Sequence, residues 1–207
     1  ADEVLAKSGA EHMLEIAEGA IACIGWGSLI WDPRDLPMRG TWQDDGPLLP
    51  VEFARESGAK ANQRGDKVTL VICPDTPRVR TCWTLLDVPD LTSARQRLAK
   101  REGIAKRWET DVGYWDCVGN AGAGREAATI GAWAAANGLA AVVWTNLPCK
   151  FDGNDTKPTG EQVVAFLRDL DDDKRPLAEA YVRQAPAAID TPYRRMIAEQ
   201  LGWHHRS

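Results

Sequence analysis

The run Ile-Ala-Cys-Ile-Gly-Trp-Gly-Ser-Leu-Ile-Trp-Asp-Pro, from Ile21 to Pro33, constrains this chain more than any other stretch. Ile21 to Ile24 is a short apolar segment of the kind that forms a buried strand. It runs into Gly25 and Gly27, one residue apart. Glycine opens backbone conformations closed to other residues and permits close approach to the main chain. Ser28 follows, and Asp32-Pro33 marks a turn. A strand ending in Gly-aromatic-Gly-Ser can leave several N–H groups pointing one way, a concavity suited to a carboxylate, a phosphate or a developing oxyanion. The same spacing also suits a plain tight turn packed between tryptophans.

What surrounds this stretch narrows the choices. The 207 residues are 44% hydrophobic, enough for an ordinary globular core. A net charge of −5 argues against a nucleic-acid partner, which would call for a basic stripe. No apolar run approaches the roughly 18 residues of a membrane span, so no membrane partner is expected. The acidic, charge-interrupted residues 1–18 do not read as a signal peptide. The five cysteines include no Cys-x-x-Cys pair, and three sit in strand-like apolar runs. They predict a reducing cytoplasm and no structural zinc. Nine tryptophans supply core and pocket walls.

Along the chain, residues 1–19 predict an N-terminal helix ended by Gly19. Residues 33–50, rich in Pro, Gly and Asp, read as an ordered loop. Strands are expected at Val51–Arg55, Val68–Cys73 and Val79–Leu86. Asp90 or Thr92 can cap a helix through Arg101, with Leu91, Ala94 and Leu98 on one apolar stripe and Gly103 as its stop. Residues 108–118 are aromatic and irregular, and 119–124 form a loop. Thr129–Ala134 and Leu139–Thr145 read as strands joined at Asn137-Gly138, a hairpin signal. Thr159 and Gln162 form a capping box for a helix, Leu177–Arg183 is a second, and Thr191-Pro192 caps a third through Leu201. The prediction is a single α+β domain. A mostly antiparallel sheet or small barrel forms a core over residues 21–150, and helices over 158–203 close it.

Glu102 continues the apolar stripe of its helix, so it should face the interior. Burial and the negative helix end both raise a carboxylate's pKa, which suits a general acid or base. The competing reading is a helix-end salt bridge with Arg95, which lies near the same stripe. Other motifs are weaker. Ser28 lacks the flanking glycines of a nucleophile elbow, and no Gly-Lys-Ser/Thr marks a P-loop. The sequence from Gly122 to Ala127 loosely matches a dinucleotide fingerprint but is not expected to open a helix between parallel strands. The three histidines, His12, His204 and His205, lie near the chain ends. A Ser-His-Asp or Cys-His mechanism therefore has no support. Tyr114, Tyr181 and Tyr193 read as packing residues.

With these residues in view, Gly25-Trp-Gly-Ser-Leu29 and its continuation to Pro33 resemble the Gly-Tyr-Gly-Ser-Leu signature of the γ-glutamylcyclotransferase and ChaC-like enzymes. Arg64 to Ile72 looks like that family's Gly-Arg-Val-Thr-Leu-Val strand. Leu98-Ala-Lys-Arg-Glu-Gly103 is similar to the helix end that carries its catalytic glutamate. The resemblance covers residues 21–150, with Trp26 standing where the family usually has tyrosine. It implies a γ-glutamylcyclotransferase-like fold and an intramolecular reaction. The α-amine of a γ-glutamyl amide or peptide attacks its own γ-carbonyl, giving 5-oxoproline and a free amine. The resemblance makes Glu102 the catalytic acid/base and places substrate at Gly25, Trp26, Gly27, Ser28 and Leu29. It calls for no metal and no organic cofactor. The partner it implies is a small γ-glutamyl substrate. A non-catalytic protein that holds a small carboxylate on the same fold is the alternative.

Overall fold

The computed structural model describes residues 19–58 and 64–206. The predicted N-terminal helix over residues 1–19 lies outside the described residues, apart from Gly19.

Ile21–Gly25 forms β1, buried at every position. Its alternate side chains serve two cores. Ala22 and Ile24 join one cluster and Ile21 and Cys23 the other, as the two-residue period of a strand requires. A strand buried on both faces belongs at the centre of a sheet. There it lies, between β7 (Cys82–Leu86), which is antiparallel to it, and β10 (Ala141–Thr145), which is parallel. The full order is β2-β7-β1-β10-β8-β9, with β2 at Met38–Gln43, β8 at Val112–Asp116 and β9 at Ala121–Ala123. This sheet is open, with β2 and β9 as its edges, so the small-barrel form of the prediction is replaced by an open, mostly antiparallel sheet. Two short pairs accompany it. One joins β3 (Leu48–Leu49) to β6 (Val79–Arg80), and the other joins β4 (Val51–Ser57) to β5 (Lys67–Ile72).

Six helices are present among the described residues. α1 (Leu91–Glu102) covers one sheet face with Ala94, Leu98 and Ala99. Asp90 caps it, accepting the Ser93 N–H at 2.7 Å, and Gly103 closes it at φ 70°. A side chain with a Cβ pays a penalty in that left-handed conformation. The other face carries α3 (Ala127–Ala136), α4 (Gly160–Arg168), α5 (Arg175–Gln184) and α6 (Pro192–Leu201), together with the β4–β5 pair. The short α2 spans Trp108–Asp111. The predicted capping box holds: Gln162 N–H donates to Thr159 Oγ1, and Thr159 N–H to Gln162 Oε1.

Several expectations change. Residues 129–134 are helical, within α3, and Asn137-Gly138 ends that helix instead of turning a hairpin. Gly131 lies so close under the Trp115 ring that a Cβ there would clash. Its strand-like neighbours Thr129 and Ile130 masked the alanine-rich helix signal. Residues 33–50 hold β2 and β3, and residues 108–123 hold α2, β8 and β9, in place of loops.

Candidate functional site

β1 and β10 are parallel neighbours, so their carboxyl ends reach the same edge of the sheet. A cavity of about 640 Å³ opens there. Its lining brings together the glycine loop from Gly25 to Leu29, Arg101 and Glu102 at the end of α1, and Thr145 at the end of β10. The β4–β5 pair adds Arg55, Ser57, Lys67 and Thr69, and α5 adds Tyr181. All six of the site residues expected from sequence therefore line one space.

The two glycines are there for close approach. Neither has a positive φ, contrary to the conformational half of the sequence argument. A Cβ on Gly25 would meet the Trp42 ring at 2.7 Å, and one on Gly27 would meet Tyr181 Oη at 2.5 Å. The loop then closes on itself. Ile30 N–H donates to Gly27 O at 2.9 Å and Asp32 N–H to Ser28 O at 2.8 Å. Trp26 is 5% exposed, and its indole N–H donates to Leu70 O at 3.1 Å, so it ties the loop to β5. The N–H groups of Gly27 and Leu29 donate to no backbone carbonyl among the described residues. Tyr181 Oη accepts the Leu70 N–H at 3.2 Å and faces the Ser28 N–H. Burial raises the Tyr181 pKa, so the phenol stays protonated.

Glu102 turns inward from the last turn of α1, with its side chain 18% exposed. Burial raises its carboxyl above the usual range, and the Arg101 guanidinium pulls it back, as do Arg34 and the Thr145 hydroxyl more weakly. Arg101 Nη1 donates to Glu102 Oε1 at 2.8 Å. The predicted rival partner, Arg95, is elsewhere. It donates to Glu109 O at 2.8 Å and stacks over the Trp108 and Tyr114 rings.

Arg101 was not singled out from sequence. A basic residue in a helix's last turn ordinarily complements the dipole at the surface. Here it is 3% exposed, because the loop after β1 folds over it. Its Nε and Nη2 donate to Asp32 O at 3.1 and 2.5 Å, and Nη2 reaches Ser28 Oγ at 3.3 Å. One guanidinium thus joins the glycine loop to the Glu102 carboxylate. Tyr181 was read only as a packing residue, and its sequence distance from the loop hid its place in the cavity.

Cations outnumber carboxylates on the cavity wall. Arg34 pairs with Asp32, Lys67 with Asp66 and Arg101 with Glu102. Arg55 has no carboxylate partner among the described residues. Its guanidinium donates to Pro148 O at 2.8 Å, and burial lowers its pKa. An unpaired, half-buried cation on a cavity wall is a place for an anion.

The weaker motifs lead elsewhere. The segment from Gly122 to Ala127 does open a helix, α3, contrary to expectation. Its N-terminus carries Glu126, whose carboxylate accepts from Arg78 and Thr129. That charge opposes a phosphate at the same place. His205 Nδ1 lies 3.1 Å from Arg183 O, outside the cavity. Among the described residues no three His, Cys, Asp or Glu side chains gather where a metal ion could be held. No helix among them is long and apolar enough to cross a membrane. Comparison of the chain with protein-family models, with curated proteins and with solved structures finds no match in any of the three.

Proposed function

We propose that this protein is a γ-glutamylcyclotransferase-like enzyme of the cytoplasm, working without metal or organic cofactor. One observation carries the reading: the Glu102 carboxylate and the Gly25–Leu29 loop line a single cavity and are joined through Arg101. Cyclisation of a γ-glutamyl amide needs no enzymatic nucleophile, because the substrate supplies its own amine. It needs the chain held folded, so that amine and γ-carbonyl meet. It also needs a group that removes a proton from the α-ammonium and returns one to the leaving amine. A largely desolvated carboxylate with a raised pKa can do both. As the amine adds, the γ-carbonyl oxygen gains negative charge, to which the Gly27 and Leu29 N–H groups are free to donate. Collapse of the tetrahedral intermediate breaks the C–N bond to the leaving amine. Glu102 gives that amine its proton, and 5-oxoproline departs.

The cationic lining suits the carboxylate of a γ-glutamyl group. Trp26 and Trp31 wall the cavity beside the loop, where an indole supplies apolar surface. The five unpaired cysteines suit a reducing compartment. The test is release of 5-oxoproline from γ-glutamyl amides and peptides. Wild type is expected to release it and Glu102→Gln to lose almost all of that activity; equal release by the two overturns the proposal.

A second reading draws on the Arg101–Glu102 ion pair. A glutamate held by an arginine at 2.8 Å can be wholly structural. The cavity would then hold a small carboxylate at Arg55 and the loop amides without turning it over. Calorimetric binding of a γ-glutamyl compound, with no 5-oxoproline formed over hours, selects this reading.

A further inference from the structure

Outside the cavity, one pair of nucleophilic groups has no part in the chemistry above. Cys73 follows β5 directly, and Cys149 lies in the segment after β10. Their sulfurs stand 3.4 Å apart, although 76 positions separate them in sequence. With Ala54 and Val71 they form a small buried cluster of their own. The other three cysteines have no such neighbour: Cys23, Cys82 and Cys117 make no sulfur–sulfur contact among the described residues.

Two thiols this close suggest a metal site or a redox couple. A metal would require further ligands, and no third His, Cys, Asp or Glu joins them among the described residues. A disulfide needs an S–S distance of about 2.05 Å, so closure asks for a movement of only about 1.3 Å. The two segments already run together, which keeps that movement small. Lys150 N–H donates to Ala54 O at 3.0 Å, and Glu56 N–H to Lys150 O at 2.7 Å.

The two sulfurs are not equivalent. Cys73 is fully buried, whereas Cys149 is 9% exposed. The neighbouring Cys73 thiol and the positive charges of Arg125 and Lys157 favour the Cys149 thiolate and hold its pKa below the ordinary range, against its burial. Cys73 shifts the opposite way. The geometry points to Cys73 and Cys149 as a redox-active dithiol that hydrogen peroxide closes to an intramolecular disulfide. The Cys149 thiolate attacks one peroxide oxygen, the O–O bond breaks, and hydroxide leaves. Cys149 becomes a sulfenic acid. The Cys73 sulfur then attacks the Cys149 sulfur, the S–O bond breaks, and water departs with the Cys73 proton. Both sulfurs are oxidised by one electron each, and the peroxide is reduced to water. Peroxide is close to water in size, which suits a thiol of small exposure.

The bond would act on the cavity wall. Val71 and Leu147, each two residues from one of these cysteines, line the cavity. Pro148 O, next to Cys149, holds the Arg55 guanidinium. Closure therefore fastens the side of the cavity that carries the unpaired cation. This site stands on its own geometry, and failure of the cyclotransferase reading leaves it untouched.

The experiment treats the reduced full-length protein with a small molar excess of hydrogen peroxide under native conditions. Remaining thiols are then alkylated in denaturant, and the products are read by intact mass and peptide mapping. The expected result is a fall from five alkylatable cysteines to three, with the Cys73 and Cys149 peptides joined. Dithiothreitol should restore all five. The closed form should melt higher by on the order of 10 °C, because the crosslink closes a long loop. Cys73→Ser should abolish the crosslink and leave Cys149 oxidised to sulfenic acid, trapped by dimedone. Oxidation of Cys23, Cys82 or Cys117 before this pair overturns the proposal. So does modification of Cys149 in wild type without a bond to Cys73. The wild-type map decides the matter even if Cys73→Ser does not fold.

Discussion

Two buried carboxylates in this protein invite comparison. Glu52, on β4, is fully buried. Three donors from the protein satisfy it: the Thr191 hydroxyl at 2.5 Å, the Phe53 N–H at 2.7 Å and the Tyr193 N–H at 3.2 Å. Two of these come from the start of α6, where the helix dipole also favours a negative charge. Glu102 has one side-chain donor at short range, Arg101, and a cavity on its open side. Burial raises both pKa values. What separates them is the use of the remaining lone pairs. Glu52 spends them on fastening α6 to β4, and Glu102 leaves them toward the cavity. A raised pKa alone would not have told a structural carboxylate from a chemical one.

Mutations can break that contrast. The largest effect is expected for Glu102→Gln, which keeps the shape and removes the acid/base group. 5-Oxoproline release should fall about 10³-fold, within the usual range for a lost general acid/base. Its melting temperature should stay within a few degrees of wild type, as scanning calorimetry would show. Glu52→Ala should do the reverse. It strands buried donors at the head of α6 and should cost about 3 kcal/mol in a urea titration, while activity per folded molecule is kept. If Glu52→Ala instead lost activity without losing stability, the contrast would be wrong.

Smaller effects sharpen it. Gly27→Ala sets a methyl 2.5 Å from Tyr181 Oη and should displace the phenol from Leu70 N–H. The expected cost is about 2 kcal/mol, typical of overpacking. Activity should fall as well, because the loop moves with the ring. Arg101→Met tests the electrostatics. Arg101 lowers the Glu102 pKa, so its loss should raise it further. In the proposed reaction the rate rises with pH as Glu102 ionises. The acidic limb of kcat/KM should therefore move to higher pH. No movement of the limb would mean that Glu102 is not the group titrating.

The scaffold was partly legible before the structure. α1, with its Asp90 cap and Gly103 stop, could be read from residue order, as could the Thr159–Gln162 box and the start of α6 at Thr191. Each depends on groups within a few residues of one another. β4 and β5 were visible for the same reason. α3 was not, because Gly131 answers to Trp115, a residue remote in sequence, and not to its own helix. β2 was hidden by its exposed, Gly40-containing edge pattern. At the candidate site, spacing could single out the loop and Glu102, and the family resemblance is what joined them. Arg101 and Tyr181 could not, because their burial depends on segments distant along the chain. The glycines were noticed for backbone freedom and for close approach of a ligand, whereas Trp42 and Tyr181 are the groups that lie against them.

Arg101 has a last consequence, for how this site can be altered. Its guanidinium holds Ser28 Oγ and Asp32 O on one side and the Glu102 carboxylate on the other. Under the proposed function, recognition and proton transfer are therefore not separate modules. On that reading, a loop graft that changes which ligand is held also moves the charge that offsets the burial of Glu102, and each new specificity should arrive with its own pH optimum.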